Sequence, residues 1–270
     1  MKRVLMTGAA GGIGTMLTPL LRGLYPEVVL SDMRTPKELA AGDKFVAANL
    51  ENLDEVEKIC EGVDGILHFG GYSIEGTWDQ IHSANIVGCY NLFEAARRKG
   101  VKRVIFASSN HAIGFYPRTT HIGTDVTPRP DSRYGVSKVF GEALGSLYSD
   151  KHGIGVLSIR IGNVGPIPLD HRRLSIWLHQ EDLLQLCRIG LEHPELRYEV
   201  FYGASFNERT WWDNSNAYEY GYRPKHRAED FREHAMAEQA KLPADKVGDF
   251  YQGGGFCTAE YTADQKDVWK

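Results

Sequence analysis

The chain has 270 residues, of which 42% are hydrophobic and 24% are charged, and its formal net charge is −4. This length is enough for one large core, or for one core with a small appendage. The slight acidity and the scattered basic residues argue against a nucleic-acid surface, so we expect a small-molecule partner and no nucleic acid. No segment approaches the roughly 20 apolar residues of a membrane span, so we expect a cytoplasmic protein without membrane contact.

The cysteines and histidines form no metal-binding pattern in the sequence. The cysteines are far apart and form no CxxC pair, which favours reduced, buried thiols over a disulfide framework or a zinc site. The histidines lack the spacing of a helical metal-binding motif, so we predict no metal. The four cysteines are Cys60, Cys89, Cys187 and Cys257.

The first two thirds of the chain alternate short apolar runs with longer amphipathic stretches, beginning with "RVLMTG" and a helix from Ile13. Continuous apolar strands, each followed by a helix, are typical of a parallel sheet covered on both faces. We therefore predict an α/β fold, a Rossmann-type doubly wound parallel sheet, with its main domain over 1–162. We expect 163–270 to form a smaller substrate-binding cap interleaved with the sheet.

Long helices are predicted over 82–99 and 134–151. A further helix is predicted near 180–192, ahead of the strand-like "YEVFYGAS". The two long helices offer faces for a helix-bundle dimer, so we expect a homo-oligomer.

The stretch "TGAAGGIG" places Gly8, Gly11 and Gly14 between the first strand and the first helix. Glycine is needed there because the backbone must turn sharply and approach a pyrophosphate closely, while the helix N-terminus supplies free N–H groups. Asp32 closes the second strand, about 20 residues onward, where an acid accepts hydrogen bonds from the adenosine ribose. A carboxylate there repels a 2′-phosphate, which favours NAD over NADP, although Arg34 offers a phosphate partner.

The stretch "YGVSK" separates Tyr134 and Lys138 by four residues, which places both side chains on one face of a helix. A nearby ammonium favours the phenolate form of a tyrosine, so this pair is suited to accepting a proton. A buried tyrosine beside a solvated lysine is the alternative.

The glycine loop together with "YGVSK", "FASSN" and "WWDNSNAYEYGYRPK" resembles the extended branch of the short-chain dehydrogenase/reductase family. The resemblance implies Tyr134 as the base, Lys138 as its partner and a ligand of the nicotinamide ribose, and Ser109 as a hydrogen-bond donor to the reacting oxygen. Asn49 stands where this branch commonly has an aspartate, and its amide oxygen can accept the same hydrogen bond. The predicted cofactor-binding residues are Gly8, Gly11, Gly12, Ile13, Gly14, Asp32, Met33, Asn49, Leu50, Gly70, Gly71, Asn85, Lys138 and Asn163.

A small, free substrate is expected, because enzymes of this branch that act on nucleotide sugars generally have a longer C-terminal portion. Arg172 follows a Pro-rich loop beyond the sixth strand, and an arginine fork matches a planar carboxylate. The stretches "FASSNHAIGFYP", "RPDSRYGVSK", "DHRRLS" and "WWDNS" resemble a member of the family that oxidises hexuronic acids at C1 with NAD, giving an aldarolactone. The predicted substrate-binding residues are Ser73, Ser109, Asn110, His111, Tyr134 and Arg172.

Two alternatives remain open at this point. A sugar epimerase or carbonyl reductase of the same branch would share the Tyr, Lys and Ser set. A dinucleotide-sensing protein without catalysis would need only the glycine loop.

Overall fold

The computed structural model describes residues 1–264, and its centre is a seven-stranded, all-parallel sheet. The strand order is β3-β2-β1-β4-β5-β6-β9, which reverses direction at β1, so the predicted Rossmann-type doubly wound fold is confirmed. A separate two-stranded ribbon joins β7 to β8. The strands are β1 (Arg3–Thr7), β2 (Glu27–Asp32), β3 (Lys44–Ala47), β4 (Gly65–His68), β5 (Arg103–Ser109), β6 (Gly155–Ile161), β7 (Asn163–Val164), β8 (Trp177–Leu178) and β9 (Tyr198–Gly203).

Helices cover both faces of the sheet, which is why β5 and β6 are buried along nearly their whole lengths. Helices α1 and α7 pack together on one face, and α2, α4 and α5 form the layer on the other. The helices are α1 (Gly12–Leu21), α2 (Leu53–Ile59), α3 (Trp78–Ile81), α4 (Gly88–Lys99), α5 (Arg133–His152), α6 (Arg173–Ile176), α7 (Gln180–Glu192), α8 (Ser215–Glu219), α9 (Arg232–Gln239), α10 (Lys246–Phe250) and α11 (Gly255–Thr258).

The predicted long helices are present, with one difference. The helix predicted over 134–151 is α5, whose first turn is capped by Ser132, its Oγ accepting from Gly135 N at 2.9 Å. The helix predicted over 82–99 starts four residues earlier, with α3, and passes through a π-helical segment, His82–Val87, before it continues as α4. In a π segment the backbone hydrogen bonds join residues i and i+5, so each turn contains about one more residue than in an α-helix. Such segments often lie at functional sites. The expected homo-oligomer stays a prediction.

The C-terminal portion contributes to the main sheet as well as to the cap. Both α7 and β9 follow residue 162, yet β9 is the seventh strand and α7 packs on β5 and β6. The boundary predicted at 162 therefore does not separate two independent layers, and the domain division stays a prediction. No helix within residues 1–264 is both long and apolar enough to cross a lipid bilayer.

His68, at the end of β4, makes stability depend on pH. Burial, with a contribution from the nearby charge of Lys138, lowers the pKa of His68 to about 3. Its Nδ1 lies 2.8 Å from Thr7 Oγ1. In the unfolded chain this histidine takes up a proton as pH falls through about 6.5, whereas in the folded chain it stays unprotonated over the same range. Stability is therefore lost as pH falls through 6.5.

We predict that His68 alone removes about 2 kcal/mol of unfolding free energy between pH 7.5 and pH 5. His68→Asn keeps an acceptor for Thr7 and should flatten the pH dependence of urea unfolding by that amount, even though its stability at pH 7.5 is lower. His152→Asn, at the exposed end of α5, is the matched control. Parallel curves for wild type and His68→Asn would contradict the prediction.

Candidate active site

The loop between β1 and α1 has the shape of a pyrophosphate cradle. Gly8 has a φ of +74°, and a Cβ there would lie 2.5 Å from the carbonyl carbon of Phe69. A Cβ at Gly14 would lie 2.3 Å from the Gly8 oxygen. Gly11 precedes α1 without a side-chain cap, so the first N–H groups of the helix remain available for an anion. The glycines therefore fit the predicted dinucleotide.

Asp32 stands beside this loop at the end of β2. Its Oδ2 accepts from Ala10 N at 3.0 Å and its Oδ1 accepts from Arg34 N at 3.2 Å, which fixes the carboxylate next to the cradle. Met33 follows it and is 67% exposed. Asn49 Oδ1 accepts from Glu51 N at 3.0 Å, so this amide oxygen is already engaged within its own turn.

Asn85 supports the loop after β4 from the π-helical segment. Its Oδ1 accepts from Tyr72 N at 2.7 Å, and its Nδ2 donates to Tyr72 O and to Ser137 Oγ, both at 3.0 Å. A Cβ on Gly71 would lie 2.7 Å from Asn85 Oδ1, so this loop packs tightly on the amide. These contacts make Asn85 a support of the loop. Its direct contact with a cofactor stays a prediction.

One cavity of about 700 Å³ opens at the carboxyl ends of the strands, where ligands bind in sheets of this type. It brings together predicted residues from both halves of the chain. Those that line it are Gly12, Ile13, Gly70, Gly71, Ser73, Ser109, Asn110, His111, Tyr134, Lys138, Asn163 and Arg172. Those that do not are Gly8, Gly11, Gly14, Asp32, Met33, Asn49, Leu50 and Asn85.

Tyr134 and Lys138 lie on the same face of α5, as their spacing predicts. Lys138 Nζ is 5.2 Å from the centre of the Tyr134 ring and 5.1 Å from that of Phe106. The same Nζ donates to the Ala107 carbonyl at 2.8 Å. Tyr134 and Lys138 are each only 8% exposed, so their charge interaction is screened little by water.

Ser109 ends β5 beside this pair. Its Oγ accepts from His111 N at 3.2 Å, which caps the short 3₁₀ turn Asn110–Ile113. A backbone cap uses the oxygen as acceptor and leaves the hydroxyl hydrogen free to donate. The cap and the predicted role as donor are therefore compatible.

His111 is held by a buried carboxylate that the sequence analysis did not single out. Asp131 Oδ2 lies 2.7 Å from His111 Nδ1, and the Asp131 side chain is fully buried. Two glycines from separate segments make room for it, since a Cβ at Gly114 or Gly253 would lie 1.8 or 1.9 Å from that oxygen. Burial lowers the pKa of His111, although Asp131 opposes the shift. Because a carboxylate only accepts, Nδ1 carries the proton, and Nε2 is left as an acceptor.

Arg172 faces the same cavity from the turn before α6. Its Nε donates to Gln252 O at 2.8 Å. In the amide orientation that satisfies both neighbours, Asn110 Oδ1 accepts from Arg172 Nη2 at 2.9 Å, and its Nδ2 donates to Ile161 O at 3.1 Å. Burial, with repulsion from Arg118, lowers the pKa of Arg172 to about 10. The guanidinium is therefore charged at neutral pH and would be stabilised by an anion.

Two further groups at the site, Phe256 and Glu75, were not predicted from the sequence. The Phe256 ring stacks on His111 with 3.8 Å between ring centres. Glu75, from the loop before α3, accepts from Tyr134 N at 2.9 Å and pairs with Arg133, so it fixes the first turn of α5. Of the site residues that were not predicted, only Asp131 lies close to a predicted one in the sequence: it stands three residues before Tyr134 in "RPDSRYGVSK".

Residues 4–180 match the family described as NAD dependent epimerase/dehydratase. That match covers more than half of the chain. This protein belongs to the NAD-dependent epimerase/dehydratase family. The predicted membership of the extended short-chain dehydrogenase/reductases is thereby confirmed.

Several known proteins are similar to this chain along nearly its whole length. A uronate dehydrogenase of Pseudomonas putida is 46% identical over 260 residues, which cover 95% of this chain and 96% of the relative. The crystal structure of a glucuronic acid dehydrogenase from Chromohalobacter salexigens has a TM-score of 0.91 at 44% identity, covering 98% of both chains. A uronate dehydrogenase from Agrobacterium tumefaciens, a tyrosine-to-alanine mutant complexed with NAD, has a TM-score of 0.91 at 40% identity, covering 96% of this chain and 97% of that one.

We predict that Asp131→Asn changes the tautomer of His111. An amide nitrogen facing Nδ1 would move the ring proton to Nε2 and turn an acceptor into a donor. The ¹⁵N chemical shifts of the His111 ring should exchange roles between Nδ1 and Nε2, and kcat/KM should fall roughly tenfold, about 1.4 kcal/mol. Unchanged ring shifts in a folded variant would show that Asp131 does not set the tautomer.

Proposed function

We propose that this protein is an NAD-dependent dehydrogenase that oxidises hexuronic acids, such as galacturonate and glucuronate, at C1 to the aldarolactone. The observation that carries the proposal is the position of Arg172 in the same cavity as Tyr134, Lys138 and Ser109. Relatives at 41–46% identity that are named uronate dehydrogenase support the same reaction.

NAD fits the glycine cradle and the carboxylate at the end of β2. Gly8, Gly11 and Gly14 leave space for the pyrophosphate, the N-terminus of α1 supplies N–H groups, and Asp32 faces the cradle as an acceptor. When bound, NAD supplies the nicotinamide ring that accepts the hydride from C1.

Tyr134 accepts the proton of the C1 hydroxyl as the oxidation proceeds. Lys138, with its ammonium beside the phenol ring, stabilises the phenolate that performs this step. Ser109 donates to the same substrate oxygen and fixes its direction. Oxidation of a cyclic hexuronic acid at C1 gives an ester within the ring, which is the lactone.

Arg172 selects a substrate that carries a carboxylate. Its guanidinium is buried, close to two further guanidinium groups, and its pKa is lowered, so an anion in the cavity relieves unfavourable charge. Two parallel N–H bonds from an arginine match the two oxygens of a carboxylate. His111 Nε2 and the exposed Ser73 then offer partners for ring hydroxyls. We place the reaction in the cytoplasm, which the four buried free thiols support.

We predict that Arg172→Met lowers kcat/KM for galacturonate by roughly 10²-fold, about 2.7 kcal/mol, chiefly through KM. NADH absorbance with galacturonate, glucuronate, galactose and glucose measures the effect, and the neutral sugars serve as the control because the variant should leave their slow rates unchanged. If the wild type turned over galacturonate and galactose at equal rates, the proposed preference for a carboxylate would be wrong. Turnover with neither acid would favour an epimerase or a carbonyl reductase.

A further inference from the structure

A cluster of metal-ligand side chains lies at the N-terminus of α7, outside the active-site cavity. It comprises His179, Glu181 and His226, which we call the α7 triad. Their nearest ligand atoms all lie within 4.8 Å of one another. Glu181 Oε2 lies 3.0 Å from His226 Nε2, and the two histidine rings stack with 3.5 Å between their centres. None of the three lines the cavity that holds Tyr134.

The backbone that carries the α7 triad is held by one buried carboxylate. Asp182 is 1% exposed, and it accepts from the backbone N–H groups of Lys225 and His226 at 2.8 and 3.2 Å. Ser205 Oγ donates to Asp182 at 2.6 Å and accepts from His179 N at 2.9 Å. The two histidines are therefore fixed at the backbone relative to each other, although 46 residues separate them in the sequence, and binding requires only side-chain rotation.

The chemistry of the α7 triad suits a borderline metal ion. Two imidazoles and one carboxylate are ligands that zinc prefers, with a fourth position left for water. His179 Nδ1 accepts from Glu181 N at 3.3 Å, so this nitrogen is unprotonated, and turning the ring would free its lone pair for the ion. The lone pairs of stacked rings point side by side, so the rings must turn apart to share one ion. Glu181 and His226, with side chains 53% and 31% exposed, have the freedom to adjust.

We propose that His179, Glu181 and His226 bind one Zn²⁺ ion, which joins α7 to the segment before the 3₁₀ turn Ala228–Phe231. This site is independent of the proposed dehydrogenase activity. Its role is structural, because it links two segments that Asp182 already brings together. The metal adds a second connection between them at the surface.

Isothermal titration of ZnCl₂ into the intact, chelator-treated protein tests the proposal. We expect one zinc ion per chain, and at least a tenfold weaker affinity in His179→Ala and in His226→Ala. His234→Ala, which removes an exposed histidine on α9, is the matched control and should bind as wild type does. Glu181→Gln keeps a hydrogen-bonding group but loses the charge, so its affinity should lie between these values. Wild-type affinity in the His179→Ala, His226→Ala double variant would overturn the proposal, as would no binding to wild type.

Two further measurements separate specific binding from loss of folding and from the catalytic site. Zinc at 100 times its Kd should raise the Tm of wild type on the order of 5 °C, and leave the Tm of the double variant unchanged. Galacturonate turnover by His226→Ala should stay within twofold of wild type. An equal Tm rise in both proteins would mean that zinc binds elsewhere, and a loss of turnover would show that the α7 triad is coupled to the active site.

Discussion

The active site depends on a buried ammonium that has no carboxylate partner among the described residues. Lys138 is 8% exposed, and its Nζ is satisfied by one carbonyl, that of Ala107, and by the faces of two aromatic rings. Burying a cation removes several kcal/mol of hydration, which a carbonyl and two rings offset only in part. His68, the nearby titratable group, stays neutral. A phenolate at Tyr134 would supply the missing negative charge next to Lys138, as its proposed role as the base requires.

The close packing of α5 on the sheet makes this arrangement possible. A Cβ at Gly141 would lie 2.1 Å from the Phe106 ring, so only glycine lets the helix approach β5 closely enough for Lys138 to reach Ala107. Glu142, one helical turn after Lys138, forms a buried ion pair with Arg160 of β6 at 2.9 Å. It also accepts from Ser108 at 2.5 Å. The helix is thus fixed to both strands that end at the cavity. Tyr134 and Lys138, the proposed proton-accepting pair, therefore have little freedom to move.

The sequence predicts those parts of the molecule that depend on local order along the chain. Continuous apolar strands indicated the parallel sheet, the glycine spacing indicated the cradle, and a four-residue interval placed Tyr134 and Lys138 on one helical face. Asp131, Phe256 and Gln252 were missed because their contacts with His111 and Arg172 arise only when distant segments pack together. The α7 triad was missed for the same reason, since His179 and His226 share no sequence motif. The π-helical segment around Asn85 could not be predicted, because the spacing of apolar residues along the sequence does not distinguish it from an α-helix.

The pH dependence of kcat/KM for galacturonate at saturating NAD, compared between wild type and Lys138→Met, tests the central claim most directly. If the ammonium stabilises the phenolate that accepts the proton, the acid side of the rate profile should move to higher pH in Lys138→Met. Lys138→Arg, which retains the charge, should lie nearer to wild type. Superimposable profiles for wild type and Lys138→Met would contradict the account.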